Sequence, residues 1–431
     1  MPVFGALALT GALLLWAPLR LDSERHPAAA ARHPSAGPHP RPGALAPGWP
    51  STLELGMADP SGGAAALAAS GFGMRYQYLS GGVAGTKGWQ SYGPGASFID
   101  SYVDESVASG LMPIFSYYML LQSAPPAARG GEREIDLRNL ASASLMRAYF
   151  RDIETFLRYA GALGPHEIVL HVEPDLWGYI EQSASGDDAS SVPALVSATG
   201  LSELRGLPNN AAGLAQAIVR LRDQLAPNVL LAYHLSVFGT GKDLLYSKPS
   251  LPEVGRLAAR SARFYRSLKA PFDLVFSELS NRDAAYSEVV LKDHGASWWH
   301  AGDYARELRY LTDFVRLTAK HIVLWQIPVG NTLMRALDNT PHHYQDNHVQ
   351  WLLSSPHNRN LRALAKAGVI ALLFGGALAG DTCACDAAHD GVTNPPPIDG
   401  NKLRSYSADD DGGYLRARAL AYAHAGAIAL P

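Results

Sequence analysis

A parallel α/β barrel is the fold class this sequence predicts, from three observations. Eight short apolar segments recur along the chain, helical stretches lie between most of them, and residues able to do chemistry gather at the segments' C-terminal ends. Parallel neighbours need a long crossover, and a helix supplies it while covering the sheet. The expected architecture is one (β/α)8 barrel of the TIM type, with distortion of the closure allowed.

The candidate strands are residues 52–58, 73–79, 111–121, 167–173, 228–235, 272–279, 321–327 and 368–374. Each is a short apolar run of strand length. The clearest helical stretches are 137–159, 211–225, 251–268 and 304–318, and residues 62–70 make only a brief helix between the first two strands. A last helix, near 413–428, is expected to pack outside the barrel. No sequence repeat goes beyond this alternation.

Composition fits one large domain. The 431 residues are 47% apolar and 17% charged, enough for a substantial core. A net charge of -3 and the lack of a basic tract argue against nucleic acid as a partner. Only Cys383 and Cys385 are present, which rules out a disulfide-rich scaffold and leaves either redox compartment open. Val3 to Leu19 is uncharged and rich in Leu and Ala, like the core of an export signal, so residues 1–23 read as a signal peptide or membrane anchor. Residues 24–50, rich in Ala, Pro, His and Gly, read as a linker, and 51–431 as the barrel domain. A secreted, periplasmic or envelope-anchored location follows, with membrane attachment through the N-terminal segment.

The chemistry is expected at the strands' C-terminal ends, the active face of such barrels. The segment Glu167-Ile-Val-Leu-His-Val-Glu-Pro-Asp-Leu-Trp-Gly-Tyr179 delivers Glu173 and Asp175 at the end of the fourth strand, and Glu278 ends the sixth. A protonated carboxylic acid and a second carboxylate are what glycosidic cleavage requires, so Glu173 with Glu278 is the expected pair, and Asp175, Asp59 and Asp346 are reserves. Tyr78, Tyr117, Trp177 and Trp325 are candidate stacking rings for sugars. Gln326 and Asn331 are expected to orient ligand hydroxyls, Asp59 to contact ligand, and His234 to tune a neighbouring carboxylate through a hydrogen bond.

The Val172-Glu173-Pro174-Asp175 core resembles the Glu-Pro-Asp signature of glycoside hydrolase family 6, which cleaves β-1,4-glucan with inversion on a distorted barrel. That resemblance implies a base or electrostatic role for Asp175. The family's acid lies in an Arg-Asp-Cys context before the signature, whereas Arg282-Asp283-Ala284 follows it here. The expected function is therefore hydrolysis of an oligo- or polysaccharide by carboxylate acid/base chemistry, without a cofactor. A noncatalytic carbohydrate-binding cell-surface protein is one alternative. A metal-dependent hydrolase is another, through 342–348 or the Asp, Cys and His residues of 381–390, although neither segment has a recognised zinc spacing. No Gly-X-Ser-X-Gly elbow is present, and Ser80-Gly81-Gly82 lacks the Lys and Ser of a phosphate loop.

Overall fold

The computed structural model describes residues 43–83, 87–93, 97–123, 129–279, 283–333, 337–340, 343–375 and 411–431. The leader, most of the linker, His342, Arg282, and the Asp, Cys and His residues of 381–390 lie outside them. Eight parallel strands close into a barrel in sequence order: β1 (Glu54–Ala58), β2 (Met74–Leu79), β3 (Met112–Tyr117), β4 (Ile168–Val172), β5 (Val229–His234), β6 (Leu274–Glu278), β7 (Ile322–Ile327) and β8 (Val369–Phe374). β1 pairs with both β2 and β8, which seals the ring.

Helices follow in the crossovers: α1 (Ala64–Ala69), α2 (Ser97–Ala108), α3 (Glu132–Leu140), α4 (Ala143–Ala162), α5 (Pro174–Ser183), α6 (Ala211–Leu225), α7 (Leu244–Ser247), α8 (Leu251–Ser267), α9 (Ala284–Val289), α10 (Ala301–Thr318), α11 (His348–Leu353), α12 (Arg359–Lys366) and α13 (Tyr414–His424). The stretch predicted as one helix over 137–159 is two helices. Ser142 breaks it, its hydroxyl accepting from the Leu145 amide to cap the start of α4.

Side-chain alternation divides the core into two layers, as a closed barrel requires. Met74, Tyr76, Ile114, Val169, Leu230, Ala232, Leu274, Phe276, Val323, Trp325, Ala371 and Leu373 pack inside the barrel. Their neighbours, among them Phe115, Leu170, Leu231, Val275, Leu324 and Leu372, pack against the helices. The floor of the barrel was not anticipated. Trp49, expected in the linker, is buried against the inner layer, and the carbonyl of Gly43 accepts from His321 Nε2 at 2.7 Å. Leu53 and Ser51 exchange backbone bonds with Ile428 and Leu430, so the last residues also close the N-terminal end.

Candidate active site

Inward-facing positions near the strands' C-terminal ends carry a continuous polar chain through an otherwise apolar interior. Ser116 on β3 lies 3.2 Å from His171 Nδ1, His171 Nε2 lies 3.0 Å from His234 Nδ1, and His234 Nε2 lies 2.5 Å from Glu278 Oε2. Glu278 Oε1 accepts from the Val237 amide at 3.2 Å. With Glu278 ionised, one arrangement of protons satisfies every link between neutral rings. Ser116 donates to His171, His171 donates to His234, and His234 donates to Glu278. In that state the chain runs toward Glu278, whose carboxylate is its terminal acceptor, and a proton on Glu278 Oε2 would reverse all three links. Burial, with the neighbouring His234 second, holds His171 well below the ordinary histidine range, so it sits there neutral.

Aromatic packing fixes the chain. Phe276 stacks on His171 with centroids 4.3 Å apart, and the Trp325 ring meets His171 and His234 edge to face. Trp325 also contacts Tyr76 and Tyr78, and the Gln326 side-chain amide donates to the Tyr78 hydroxyl. Gln326 takes a left-handed backbone (φ 53) where the register of β7 against β8 shifts, which turns its side chain toward β2. Glu278, His234, Tyr78, Trp325 and Gln326 are thus brought together at the barrel mouth.

Glu173 is placed differently. It adopts a left-handed φ of 47 between β4 and α5, and its Oε1 accepts from the amides of Met119 and Leu120 at 3.2 and 3.0 Å. It is 1% exposed, and burial pushes its carboxyl up to about 8. The Tyr149 hydroxyl lies beside it without reaching hydrogen-bond geometry. Glu173 and Glu278 therefore have separate partners: one binds the β3–α3 connection, the other the β5 histidine.

A second group of acids stands above β3 and β4. The Tyr118 hydroxyl donates to Glu132 Oε1 at 2.6 Å. Burial and then the negative charge of Asp175 push the half-buried Glu132 up to about 8. Asp136 is raised well above the carboxylate range by burial, with Glu132, Glu173 and Asp175 adding to it. Asp175 itself is half-buried in the first turn of α5. Its electrostatic role toward Glu132 is one that sequence reasoning could not assign, because Glu132 was not among the candidates.

Four expected ligand contacts are buried against partners elsewhere in the fold. Trp177 is fully enclosed, its indole N–H donating to the Val172 carbonyl and its ring against Tyr233 and Phe272. Pro174 starts α5 directly after the strand, and the helix winds Trp177 back onto the barrel wall. Tyr117 faces outward and donates to Asp152 on α4 at 2.6 Å. Asp59 is buried against Arg75 at 3.3 Å, in a network that includes Glu105 of α2. Asn331 is fully buried, donating to the Asp411 carbonyl and accepting from the Leu333 amide, so it organises a loop.

His171, Ser116 and Glu132 were not among the sequence candidates. His171 and Ser116 had a legible signal, since each shares the inward parity of its strand; Glu132 lies in a helix whose facing residues sequence does not give. The metal alternative gains no ligand set: among the described residues no group of three or more His, Cys, Asp or Glu is arranged to hold an ion. His348 instead binds Asp346.

No family model matches the chain, and no curated relative matches it. Solved structures similar to it include a Bacteroidetes-affiliated GH5 cellulase, at 12% identity and TM-score 0.48, covering 86% of this chain and 92% of that one. A Cellulomonas fimi endo-β-1,4-mannanase double mutant gives 12% identity and TM-score 0.47, covering 86% and 70%. The Ignisphaera aggregans GH53 catalytic domain gives 13% identity and TM-score 0.42, covering 78% and 88%.

Proposed function

We propose that this chain is a glycoside hydrolase acting on an oligo- or polysaccharide through carboxylate acid/base chemistry, exported by its N-terminal segment. The observation that supports it is the Glu278 carboxylate, held at the active face as the acceptor end of the Ser116–His171–His234 chain. A fixed acceptor can attack an anomeric carbon or take a proton from water. The acid comes from the other side of the mouth. Glu132, with its carboxyl at about 8, keeps its proton at neutral pH and can give it to the leaving oxygen, and Asp175 keeps that proton in place. Glu173 holds the β3–α3 connection that carries Glu132, and Tyr78 and Gln326, both part-exposed, line the mouth where sugar binds, with Trp325 packed beneath them.

The test is turnover of a panel of defined oligo- and polysaccharides by the full chain and by Glu278→Gln, Glu132→Gln and Glu173→Gln, each checked for folding. Loss of at least about 100-fold in kcat for the first two, with smaller loss for the third, is expected. Turnover that survives Glu278→Gln overturns the assignment, and saturable binding without cleavage moves the chain to the carbohydrate-binding reading.

A further inference from the structure

Beside the end of β6, a small recess opens between the β6–α9 connection, α10 and the start of α11. Leu279, Trp299, Tyr246, Arg306, Glu307 and His348 are among the residues that line it. Its free volume is about 20 Å³, room for one water-sized group. Leu279 directly follows Glu278, and the charge of Glu278 is felt at Glu307 in the lining.

Two buried polar atoms of the lining have no partner. His348 is 1% exposed and Glu307 3%, and both His348 Nε2 and Glu307 Oε1 lack a hydrogen bond. Leaving either unpaired is costly, on the order of 1–3 kcal/mol, so two of them on one cavity mark a place for a ligand atom. The two atoms are complementary. His348 Nδ1 lies 2.7 Å from Asp346 Oδ1, a carboxylate that can only accept, so in the neutral ring the proton sits on Nδ1 and Nε2 offers a lone pair. Asp346 is itself fixed by the amides of Ala284 and His348, at 2.8 and 2.7 Å. Glu307, pushed up to about 8 by burial and then by Glu278 and Asp243, carries a proton and offers an O–H. The Trp299 ring packs on His348 with centroids 4.6 Å apart and walls the recess.

We propose that this recess is a binding subsite for one hydroxyl group of a neutral sugar, which donates to His348 Nε2 and accepts from Glu307 Oε1. A hydroxyl is the group that both donates and accepts from a single water-sized oxygen, and the charges of the lining, Arg306 and Asp303, are already paired with each other. The inference rests on the carbohydrate reading above and specifies where part of the substrate is held.

The test uses the full chain labelled with 15N at histidine and titrated with cellotriose or mannotriose. The His348 imidazole signal is assigned by its loss in His348→Gln. A saturable shift of that signal is expected with at least one trisaccharide. Glu307→Leu, which removes the donor, is expected to weaken binding at least about tenfold, and Glu307→Gln, which keeps one, by less. Thermal unfolding of each variant checks that it remains folded. A His348 signal that does not move with either sugar, while Glu278→Gln still abolishes turnover, overturns the subsite and leaves the glycosidase. A saturable His348 shift in a chain that cleaves nothing supports the subsite and removes the glycosidase.

Discussion

Glu173 combines two features at one position, a carboxyl at the end of an apolar strand and a hold on the neighbouring connection. It ends an apolar strand in a Glu-Pro-Asp run, and its Oε1 accepts from two backbone amides of the β3–α3 connection. Glu173→Ala leaves the Met119 and Leu120 amides unpaired and opens a cavity, a loss of roughly 2–5 kcal/mol, whereas Glu173→Gln keeps an acceptor oxygen and costs about 1 kcal/mol or less. Urea unfolding of the two variants checks this. Equal losses would show that the amides do not depend on that oxygen. The same contrast explains which site residues were legible. Glu278 and His234 sit at inward parity on strands whose apolar pattern was clear, and their side chains meet. Tyr117 and Trp177 were equally apparent as aromatics, but their direction depended on strand parity and on where α5 begins, which aromatic content does not report.

Strands were more legible than helices because each buried strand is a compact apolar run, and all eight appear where their runs lie. The split of α3 from α4 escaped notice because the apolar periodicity continues across Ser142, and only the cap reveals the break. β1 carries a constraint invisible in its pattern. Gly56 faces the barrel interior, where an added Cβ would lie 2.3 Å from Leu373 Cδ2 and 2.9 Å from Met74 Cβ. The strand closes against both β2 and β8 at this residue, so relief of that clash must disturb both pairings. Gly56→Ala is expected to lower stability by about 1–3 kcal/mol. A companion Leu373→Ala change makes room and should recover part of the loss, although it removes buried surface itself. A double variant no more stable than the sum of the single changes would show that the Leu373 contact is not the cause.

Across the whole molecule, several carboxyls are buried without a cation close enough to balance them, and this sets how stability responds to pH. Burial is the main cause that raises Glu173, Glu181 and Glu307 to about 8 and Asp411 to about 7. Each binds a proton in the folded chain over a range where the unfolded chain has released it. Their contribution is complete below the unfolded carboxyl value and is lost as pH rises through 7 to 8. His171 acts in the opposite sense. Because it is neutral when buried, the unfolded chain takes up its proton below about 6.5, and stability falls with acid there. Above pH 6.5 the carboxyls act without that opposition. The urea midpoint is therefore expected to fall steadily from pH 6.5 to 8.5, with one such group contributing up to about 1.4 kcal/mol per pH unit within its window. Glu181→Gln isolates a single contribution. Its amide oxygen can still accept from Ser261, which donates to Glu181 Oε1 at 2.8 Å, but it has no proton to lose. The variant should unfold with a shallower dependence on pH over that range. A midpoint that rises between pH 6.5 and 8.5, or a slope unchanged by Glu181→Gln, would mean that these acids are already ionised in the folded barrel and that its interior is wetter than their burial implies.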